Sequence, residues 1–302
     1  MNTYLECIPC FFKQALETAR LSGANSRTQK EILDAVALSM PKFPLSASPP
    51  EMARVIYGIV KRITGRKDAY AKIKEKSNNL ALKVYPKLKE KILCSKDKLL
   101  TAVELAIAGN IIDYGVKNSV NVKEELDKIL DEENAAIRKE GKTIFNYRKF
   151  KGSLDKAKNI LYLADNSGEV VFDRILIEEI KKRSRNLDII YAVKEKPVIN
   201  DALTEDARIA GIQEYAKIIS SGVDTPGTVL SRCSNKFLKV YRRAHMIISK
   251  GQGNFEALSN SKRPIFFLFI AKCPVVARDV RCKVGDIILL HNSKYTLSTG
   301  RR

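Results

Sequence analysis

The sequence contains no tryptophan, only two histidines and no long hydrophobic run. Two histidines are too few for a histidine-rich zinc site. The longest apolar run, residues 265–271, has the length of a strand and falls short of the ~20 residues that a membrane-spanning helix needs. The first residues also lack the basic and then apolar pattern of a signal peptide. We therefore expect a cytoplasmic protein without a membrane partner.

The glycine motifs of two large classes of nucleotide-binding proteins are missing as well. No G-x-G-x-x-G follows the first predicted strand, and no G-x-x-x-x-G-K-[ST] occurs in the chain. Their absence counts against both dinucleotide binding and P-loop nucleotide binding.

Negative charge is scarce, because 54 lysines and arginines stand against 34 aspartates and glutamates, giving a formal net charge of +20. Such a charge raises the expectation of a polyanionic ligand. The basic residues are nevertheless dispersed, and Glu90 and Asp97 interrupt the lysines of residues 87–98. Since no RNA-binding signature accompanies them, we expect no specific nucleic acid partner. A small phosphorylated ligand would also be attracted by this field.

The cysteines are few enough to be considered singly, and without a secretion signal we expect them to be reduced thiols. Cys7 and Cys10 form a C-x-x-C pair, which is compatible with redox chemistry or with half of a zinc site. No second pair completes a tetrahedral set, so the start of a helix packed in the core is an alternative of similar weight. The six cysteines are Cys7, Cys10, Cys94, Cys233, Cys273 and Cys282.

Residues 1–152 carry helical patterns, and we predict a helical bundle or cap domain there. Ser48 is a suitable N-cap, with Pro49 at the first helical position and Glu51 placed to complete a capping box. Apolar residues then recur at three- and four-residue spacing, as on one face of a helix. Pro86 is expected to end or kink the helix before it. The predicted helices cover residues 26–40, 49–63, 72–85, 99–108 and 122–136.

The pattern changes in residues 153–302, where short apolar runs alternate with helical segments. The runs are continuous rather than alternating, which is typical of parallel strands covered on both faces. We therefore predict an α/β domain, a three-layer αβα sandwich with a mostly parallel sheet, beside the N-terminal all-helical region. The predicted strands are 160–164, 189–193, 218–219, 246–248, 265–270 and 287–290, with helices at 170–182 and 202–211 between them.

Polar residues follow the predicted strands, and ligands of open α/β sheets bind beyond the carboxyl ends of the strands. Asp165 and Asn166 follow the first strand, and Asp201 comes after the second. Carboxylate and amide oxygens of this kind suit Mg²⁺ or Mn²⁺. We predict that these three residues hold a divalent metal ion, although each of them could also serve as a helix cap.

A second group of residues at the same strand ends suggests phosphate binding. Lys250 precedes Gly251, and a lysine with nearby backbone N–H groups makes a phosphate cradle. Ser221 and Gly222 follow the third strand and precede a predicted helix, whose N-terminus would also favour an anion. Glu169 could orient a metal ligand or act in acid–base chemistry. Each of these residues could instead be an ordinary surface or turn residue, so the prediction depends on the whole set.

The ordered series of these segments resembles the DUF89 family of damage-control metal phosphatases, in particular archaeal-type members with an N-terminal C-x-x-C. No single motif is very specific, but the series spans nearly the whole chain in family order. The resembling stretches are residues 7–11, 108–113, 165–169, 194–206, 221–227, 250–256 and 271–274.

The resemblance implies a helical N-terminal region on an αβα sandwich, with a divalent metal ion held by Asp165 and Asn166 and by Asp201 after the next strand. It implies that Lys250 contacts the phosphate, and it adds Asn110, which would reach the site from the helical half. The family uses Mn²⁺, Co²⁺, Ni²⁺ or Mg²⁺. Its substrates are phosphorylated sugars and related or damaged phosphometabolites.

We therefore predict a metal-dependent phosphatase that hydrolyses phosphomonoesters of small metabolites, with Asp165, Asp201 and Lys250 as catalytic residues. The nucleophile is either metal-activated water or Asp165 itself. The alternatives are a carboxyl methyltransferase that uses S-adenosylmethionine, as described for one relative, and a non-catalytic protein that binds RNA or another polyanion. The sequence leaves open the substrate, the preferred metal, the oligomeric state and the role of Cys7 and Cys10.

Overall fold

The structure, a computed structural model, describes residues 1–110 and 144–292 of the 302-residue chain. The helix predicted over residues 122–136 lies outside the described residues, as does the end of the 108–113 segment. In the first described range there are five α-helices: α1 (Cys7–Leu21), α2 (Ser26–Ser39), α3 (Pro49–Thr64), α4 (Ala71–Cys94) and α5 (Lys98–Ala108).

Helix α3 begins with the capping box that its sequence predicted. The backbone N–H and the hydroxyl of Ser48 both donate to the carboxylate of Glu51, at 2.8 and 2.7 Å. These bonds satisfy groups that the first helical turn leaves without an internal partner. Gly65 ends the helix in the left-handed conformation, at a φ of 68°.

Helix α4 continues past Pro86, where the sequence predicted a break or a kink. The helix runs without interruption from Ala71 to Cys94, so the predicted end at Tyr85 was wrong. Beyond the proline, Leu88 and Ile92 are fully buried in the core beneath the sheet. Their burial offsets the hydrogen bond that a proline removes from the helix interior.

The second described range alternates strands and helices. It begins with α6 (Tyr147–Leu154), β1 (Asn159–Leu163), α7 (Glu169–Arg183), β2 (Asp188–Val193), α8 (Thr204–Ile209) and β3 (Lys217–Ser220). It continues with α9 (Asn235–Arg243), β4 (Met246–Lys250), α10 (Gln252–Leu258), β5 (Ile265–Ile270), α11 (Pro274–Val280) and β6 (Ile287–His291).

The six strands form one sheet in the order β3-β2-β1-β4-β5-β6. The first five are parallel, and β6 alone runs antiparallel, with Phe266 opposite His291. The prediction of a mostly parallel sheet is therefore confirmed. Continuous apolar runs look alike in buried parallel and antiparallel strands, so the direction of β6 could not be recognised from its residues.

Helices cover both faces of the sheet, which confirms the three-layer αβα sandwich. One core packs α4, α5 and α7 against one face, and a second core packs α9, α10 and α11 against the other. Helices α1 to α3 form a small separate core around Phe11, Ile32 and Ile56. Helices α4 and α5, although they precede the boundary predicted at residue 152, thus belong to the core of the sheet.

The order of the strands reverses between β1 and β4, which lie side by side at the centre of the sheet although the chain visits β2 and β3 between them. At such a switch point the connections leave the sheet in opposite directions and open a crevice at the carboxyl ends of the strands. The fold therefore puts the loops after β1 and β4 on either side of one crevice. Within the described ranges, none of the helices is long and apolar enough to span a membrane.

Candidate active site

The loops after β1 and β2 are joined through their backbones. Asn166 and Asp201 form an isolated antiparallel bridge, and the N–H of Ala202 donates to the carbonyl of Asp165 at 2.8 Å. Residues that are 36 positions apart in the chain, such as Asp165 and Asp201, are thereby fixed next to each other. The three residues predicted as metal ligands all lie on this joined backbone.

A cavity of about 590 Å³ opens between this edge of the sheet and helices α1 and α3. Asp165, Asn166 and Asp201 line it from the sheet side. Cys10 and Ala53 are among the residues that line it from the helical side. The structure therefore brings the predicted metal ligands together in one cavity. The other predicted site residues do not line this cavity: Glu169, Lys250, Gly251, Ser221, Gly222 and Asn110.

The amide of Asn166 is oriented by its neighbours. Its Nδ2 donates to Oδ2 of Asp165 at 3.0 Å and to Oε1 of Glu169 at 2.8 Å. Because both donor positions of the nitrogen are used, the amide oxygen remains as the acceptor of this side chain. Asn110, at the end of the first described range, also donates to Oε1 of Glu169. Asn110 thus reaches the site from the helical half, but it contacts Glu169 behind the cavity wall.

Lys250, predicted as the phosphate contact, has other partners in the structure. Its side chain is 1% exposed, and its Nζ lies 2.7 Å from Oδ1 of Asp173 and 3.2 Å from Oε2 of Glu169. Tyr162 and Tyr191 also donate to the Asp173 carboxylate, at 2.7 and 2.8 Å. Burial alone would lower the pKa of the Lys250 ammonium, but the charges of Asp173 and Glu169 raise it above its ordinary value. The ammonium therefore stays charged beneath the site, with its donors directed at carboxylates.

Two further buried residues hold the loops in place. Nζ of Lys194 lies 3.4 Å from Oδ2 of Asp201, and both side chains are almost fully buried. The Asn254 amide donates to the carbonyls of Ala164 and Lys250, at 2.9 and 2.8 Å. Asn254 therefore joins the ends of β1 and β4, the two strands that flank the switch point.

Gly251 lets the end of β4 approach Asp165 closely. A Cβ atom at this position would lie 2.0 Å from Cγ of Asp165, and the φ of Gly251 is 82°. Both the close contact and the backbone conformation exclude other residues. Gly251 thus shapes the pocket around Asp165.

Ser221 and Gly222 serve the loop in which they stand. The hydroxyl and the backbone N–H of Ser221 both donate to the carbonyl of Val193, each at 2.8 Å. A Cβ on Gly222 would lie 2.7 Å from the backbone nitrogen of Ser234, so this glycine allows two backbone segments to meet. Neither residue presents a free group to the cavity.

Lys272 lines the cavity, although it was not among the predicted site residues. It lies two positions beyond the end of β5, and its side chain is exposed. Among the described residues, its ammonium has no hydrogen bond or ion pair. Its charge lowers the pKa of Asp165, so the ammonium acts electrostatically on the predicted metal ligands. Lys272 follows the fifth strand, where the rule on strand ends applies, and it stands in the family-like segment 271–274, but neither observation assigned it a function.

The fold agrees with comparisons to known proteins. The sequence profile of the "Damage-control phosphatase ARMT1-like domain" matches residues 3–288. The chain belongs to this family, also called DUF89.

Two archaeal relatives and one crystal structure are similar over nearly the whole chain. Damage-control phosphatase PH1575 of Pyrococcus horikoshii is 35% identical over 296 residues, covering 97% of this chain and 99% of the relative. A damage-control phosphatase of Archaeoglobus fulgidus is 36% identical over 265 residues, covering 87% of this chain and 88% of the relative. The crystal structure of a DUF89 family protein from P. horikoshii has a TM-score of 0.86 at 33% identity, covering 97% and 99% of the two chains.

In this DUF89 member, the residues on the sheet side fit a divalent cation. Burial raises the pKa of Asp165 well above its usual value, and the charges of Glu169 and Asp201 raise it further. A cation would relieve this repulsion between buried carboxylates. Within the described ranges no group of three or more His, Cys, Asp or Glu side chains is arranged to hold a metal ion. The ion would therefore have two carboxylates and the Asn166 amide oxygen as protein ligands, and water or substrate oxygens as the others.

The C-x-x-C pair of this DUF89 member stands in the first turn of α1. Cys7 and Cys10 line the cavity together with Cys273 from the sheet side, and all three are free thiols. Burial raises the pKa of Cys7 and Cys10, and the nearby charges of Glu256 and Cys273 raise it further. Thiols of raised pKa are weak nucleophiles, so their surroundings do not favour redox chemistry.

Proposed function

We propose that this chain is a metal-dependent phosphatase that hydrolyses phosphomonoesters of small cytoplasmic metabolites, such as sugar phosphates or damaged phosphometabolites. Relatives of 35% and 36% identity are named damage-control phosphatases, which supports the reaction class. One observation carries the proposal. Lys272, which has no ion pair among the residues that the structure describes, lines the same cavity as the proposed oxygen ligands Asp165, Asn166 and Asp201.

Asp165, Asn166 and Asp201 are the residues that would hold Mn²⁺, Co²⁺, Ni²⁺ or Mg²⁺. When bound, such an ion polarises a phosphoryl oxygen and lowers the pKa of a bound water. The chain itself prepares this site before any ligand binds. Glu169 and Asp165 hold the Asn166 amide nitrogen, so the amide oxygen already points away from them.

The cation that pairs with the phosphate is Lys272 rather than Lys250. The Lys250 ammonium is occupied by Asp173 and Glu169, whereas the Lys272 ammonium lacks such partners among the described residues. A flexible lysine can follow the phosphoryl group as its charge redistributes in the transition state. Lys250 becomes a positioning residue, because it fixes Glu169, which in turn orients Asn166.

The test measures phosphate release by chelator-treated protein, before and after addition of each metal, with p-nitrophenyl phosphate and a panel of sugar phosphates. Asp165→Ala should lower metal-restored turnover about 10³-fold or more, since several kcal/mol of transition-state stabilisation would be lost. It should also abolish Mn²⁺ binding in a calorimetric titration. Asp188→Ala removes a carboxylate at the opposite end of the sheet and should leave both measurements unchanged.

The two alternatives give different results in the same experiment. A methyltransferase would bind S-adenosylmethionine and release no phosphate. The β1 loop carries one glycine, Gly168, beside the buried carboxylates, which is a poor fit to that cofactor. A polyanion-binding protein would bind generic RNA with a steep salt dependence and no metal requirement. Either outcome, with no phosphate release under any metal, would overturn the proposal.

A further inference from the structure

Helix α10 presents a carboxyl group to the cavity, and the roles proposed for the metal ligands and Lys272 do not involve this group. Glu256 lines the cavity, and its Oε1 accepts a hydrogen bond from Nε2 of Gln252 at 2.8 Å. Oε1 of Gln252 in turn accepts from the backbone N–H of Lys272 at 2.8 Å. Because the Lys272 N–H fixes the Gln252 oxygen, the Gln252 nitrogen must face Glu256. The carboxyl of Glu256 is thus oriented, and its Oε2 has no hydrogen bond among the described residues.

The structure assigns Glu256 as the general acid that protonates the leaving-group oxygen of the phosphomonoester. This assignment rests on the proposed phosphatase activity and adds to it the residue that acts at the leaving group. It also defines a substrate class, since esters of alcohols need such a proton and esters of acidic phenols do not.

The surroundings of Glu256 keep its proton available at neutral pH. Burial raises the pKa of this carboxyl to about 7, although the Gln252 hydrogen bond and the charges of the Met1 ammonium and Lys272 lower it. The thiols of Cys7 and Cys10 on α1 also interact with this carboxyl. A carboxyl with a pKa near the working pH combines a useful protonated fraction with a sufficient tendency to donate.

Lys272 interacts electrostatically with both a predicted metal ligand and the proposed general acid. Its charge acts both on Asp165, at the predicted metal ligands, and on Glu256, on α10. In the proposed arrangement, the phosphate pairs with Lys272 inside the cavity that Asp165 and Glu256 both line, with its ester oxygen on the α10 side. In-line displacement requires that the metal ligands and the acid act on opposite sides of the phosphorus, and the assignment of Glu256 carries this requirement.

The step balances with water as the nucleophile. The oxygen of water forms a bond to phosphorus while the ester P–O bond breaks and its electron pair passes to the leaving oxygen. The proton of Glu256 moves to that oxygen, so the product leaves as a neutral alcohol. Both hydrogens of the water enter the phosphate product, and one of them returns through solvent to the Glu256 carboxylate.

Glu256→Gln tests the assignment, because it keeps the shape of the side chain and removes the acidic proton. Turnover of an alkyl phosphate, such as a sugar phosphate, should fall about 10²–10³-fold. Turnover of p-nitrophenyl phosphate should stay within about 3-fold, because nitrophenolate leaves without a proton. The wild-type rate on the alkyl ester should fall as the pH rises through about 7 and Glu256 loses its proton. This alkaline decline should be missing in Glu256→Gln.

Two further variants complete the experiment, and a thermal melting curve shows whether each variant is folded. Glu195→Gln alters an exposed carboxylate at the same sheet edge but outside the cavity, and it should change neither substrate. Glu256→Asp keeps an acid and should recover part of the alkyl phosphate turnover. Equal losses on both esters, or no loss on either, in a folded variant of an active enzyme would overturn the assignment of Glu256 alone. A wild type that releases no phosphate with any metal would overturn the phosphatase proposal and the assignment with it.

Discussion

On the sheet side of the cavity, Asp165, Asn166 and Asp201 form a sheet wall whose side chains are held by buried polar partners. On the other side, Cys10 and Ala53 belong to a helical wall on α1 and α3, which have a small core of their own. The sheet wall continues inward through buried ion pairs, whereas the helical wall has apolar packing behind it. The difference is one between a surface fixed by directional bonds and a surface fixed by packing.

This difference suggests separate tasks for the two walls. Buried polar networks are costly when one member is missing, because the remaining groups lose their partners in a low-dielectric interior. The sheet wall should therefore tolerate almost no change and should carry the chemistry. Packing against a small core tolerates substitution better, so the helical wall can vary in shape and should adjust which leaving group is accepted.

The sharpest test of the comparison replaces two lysines of the sheet side with methionine. Lys250→Met leaves Asp173 and Glu169 as uncompensated buried carboxylates, and the free energy of unfolding should fall by about 3–5 kcal/mol. Lys272→Met removes an exposed ammonium that has no ion pair within residues 1–110 and 144–292, so the free energy of unfolding should change by about 0.5 kcal/mol or less. Urea unfolding of both variants measures the contrast.

Activity should separate the same two variants in the opposite sense. Lys272→Met should lose about 10²-fold in kcat/KM, since the phosphate contact is gone while the fold is intact. If Lys250→Met unfolds at the wild-type midpoint, the network beneath Asn166 does not stabilise the site. If Lys272→Met retains full activity, Lys272 is not the phosphate contact and the sheet wall lacks its proposed cation.

A second test acts on the backbone of the sheet wall. Gly251→Ala should cost about 2–4 kcal/mol, because a Cβ would meet Asp165 and the φ of 82° is unfavourable for alanine. Gly285→Ala is the matched control: its φ is 95°, but no atom lies within 4 Å of the added Cβ. It should therefore show only the conformational part, about 1–2 kcal/mol. Equal losses in thermal unfolding would mean that the contact with Asp165 is not a constraint on the site.

Local patterns in the sequence were sufficient to predict most of the fold. The run of residues 265–270 coincides with β5, and the capping box at Ser48 starts α3 as predicted. The prediction that failed concerned a feature that long-range packing determines. Pro86 predicted a helix end, but the helix continues because Leu88 and Ile92 are buried against the sheet. That burial involves residues far away in the chain, which no local pattern contains.

The site shows more clearly that local sequence patterns do not contain long-range contacts. The rule that ligands bind beyond strand ends led to Asp165, Asn166 and Asp201, which the fold does bring together. The rule treated Lys250 as equivalent to them, although it is still inside β4. Residues two apart share a face of a strand, and Ile248 is buried in the core that contains α7. From this alternation one could have predicted that the Lys250 side chain points into the core. Its partner Asp173 on α7, however, is visible only in three dimensions.

The smallest effect is expected on the helical wall. Cys10→Ala trims a thiol that lines the cavity and should shift KM for bulky phosphomonoesters about 2–5-fold at unchanged kcat, because only uniform binding is lost. Stability should stay within about 0.5 kcal/mol of the wild type. Cys94→Ala, at an exposed cysteine that ends α4 away from the cavity, serves as the control and should change nothing. A collapse of kcat in Cys10→Ala alone would assign chemistry to the helical wall, and the division of tasks between the two walls would then be wrong.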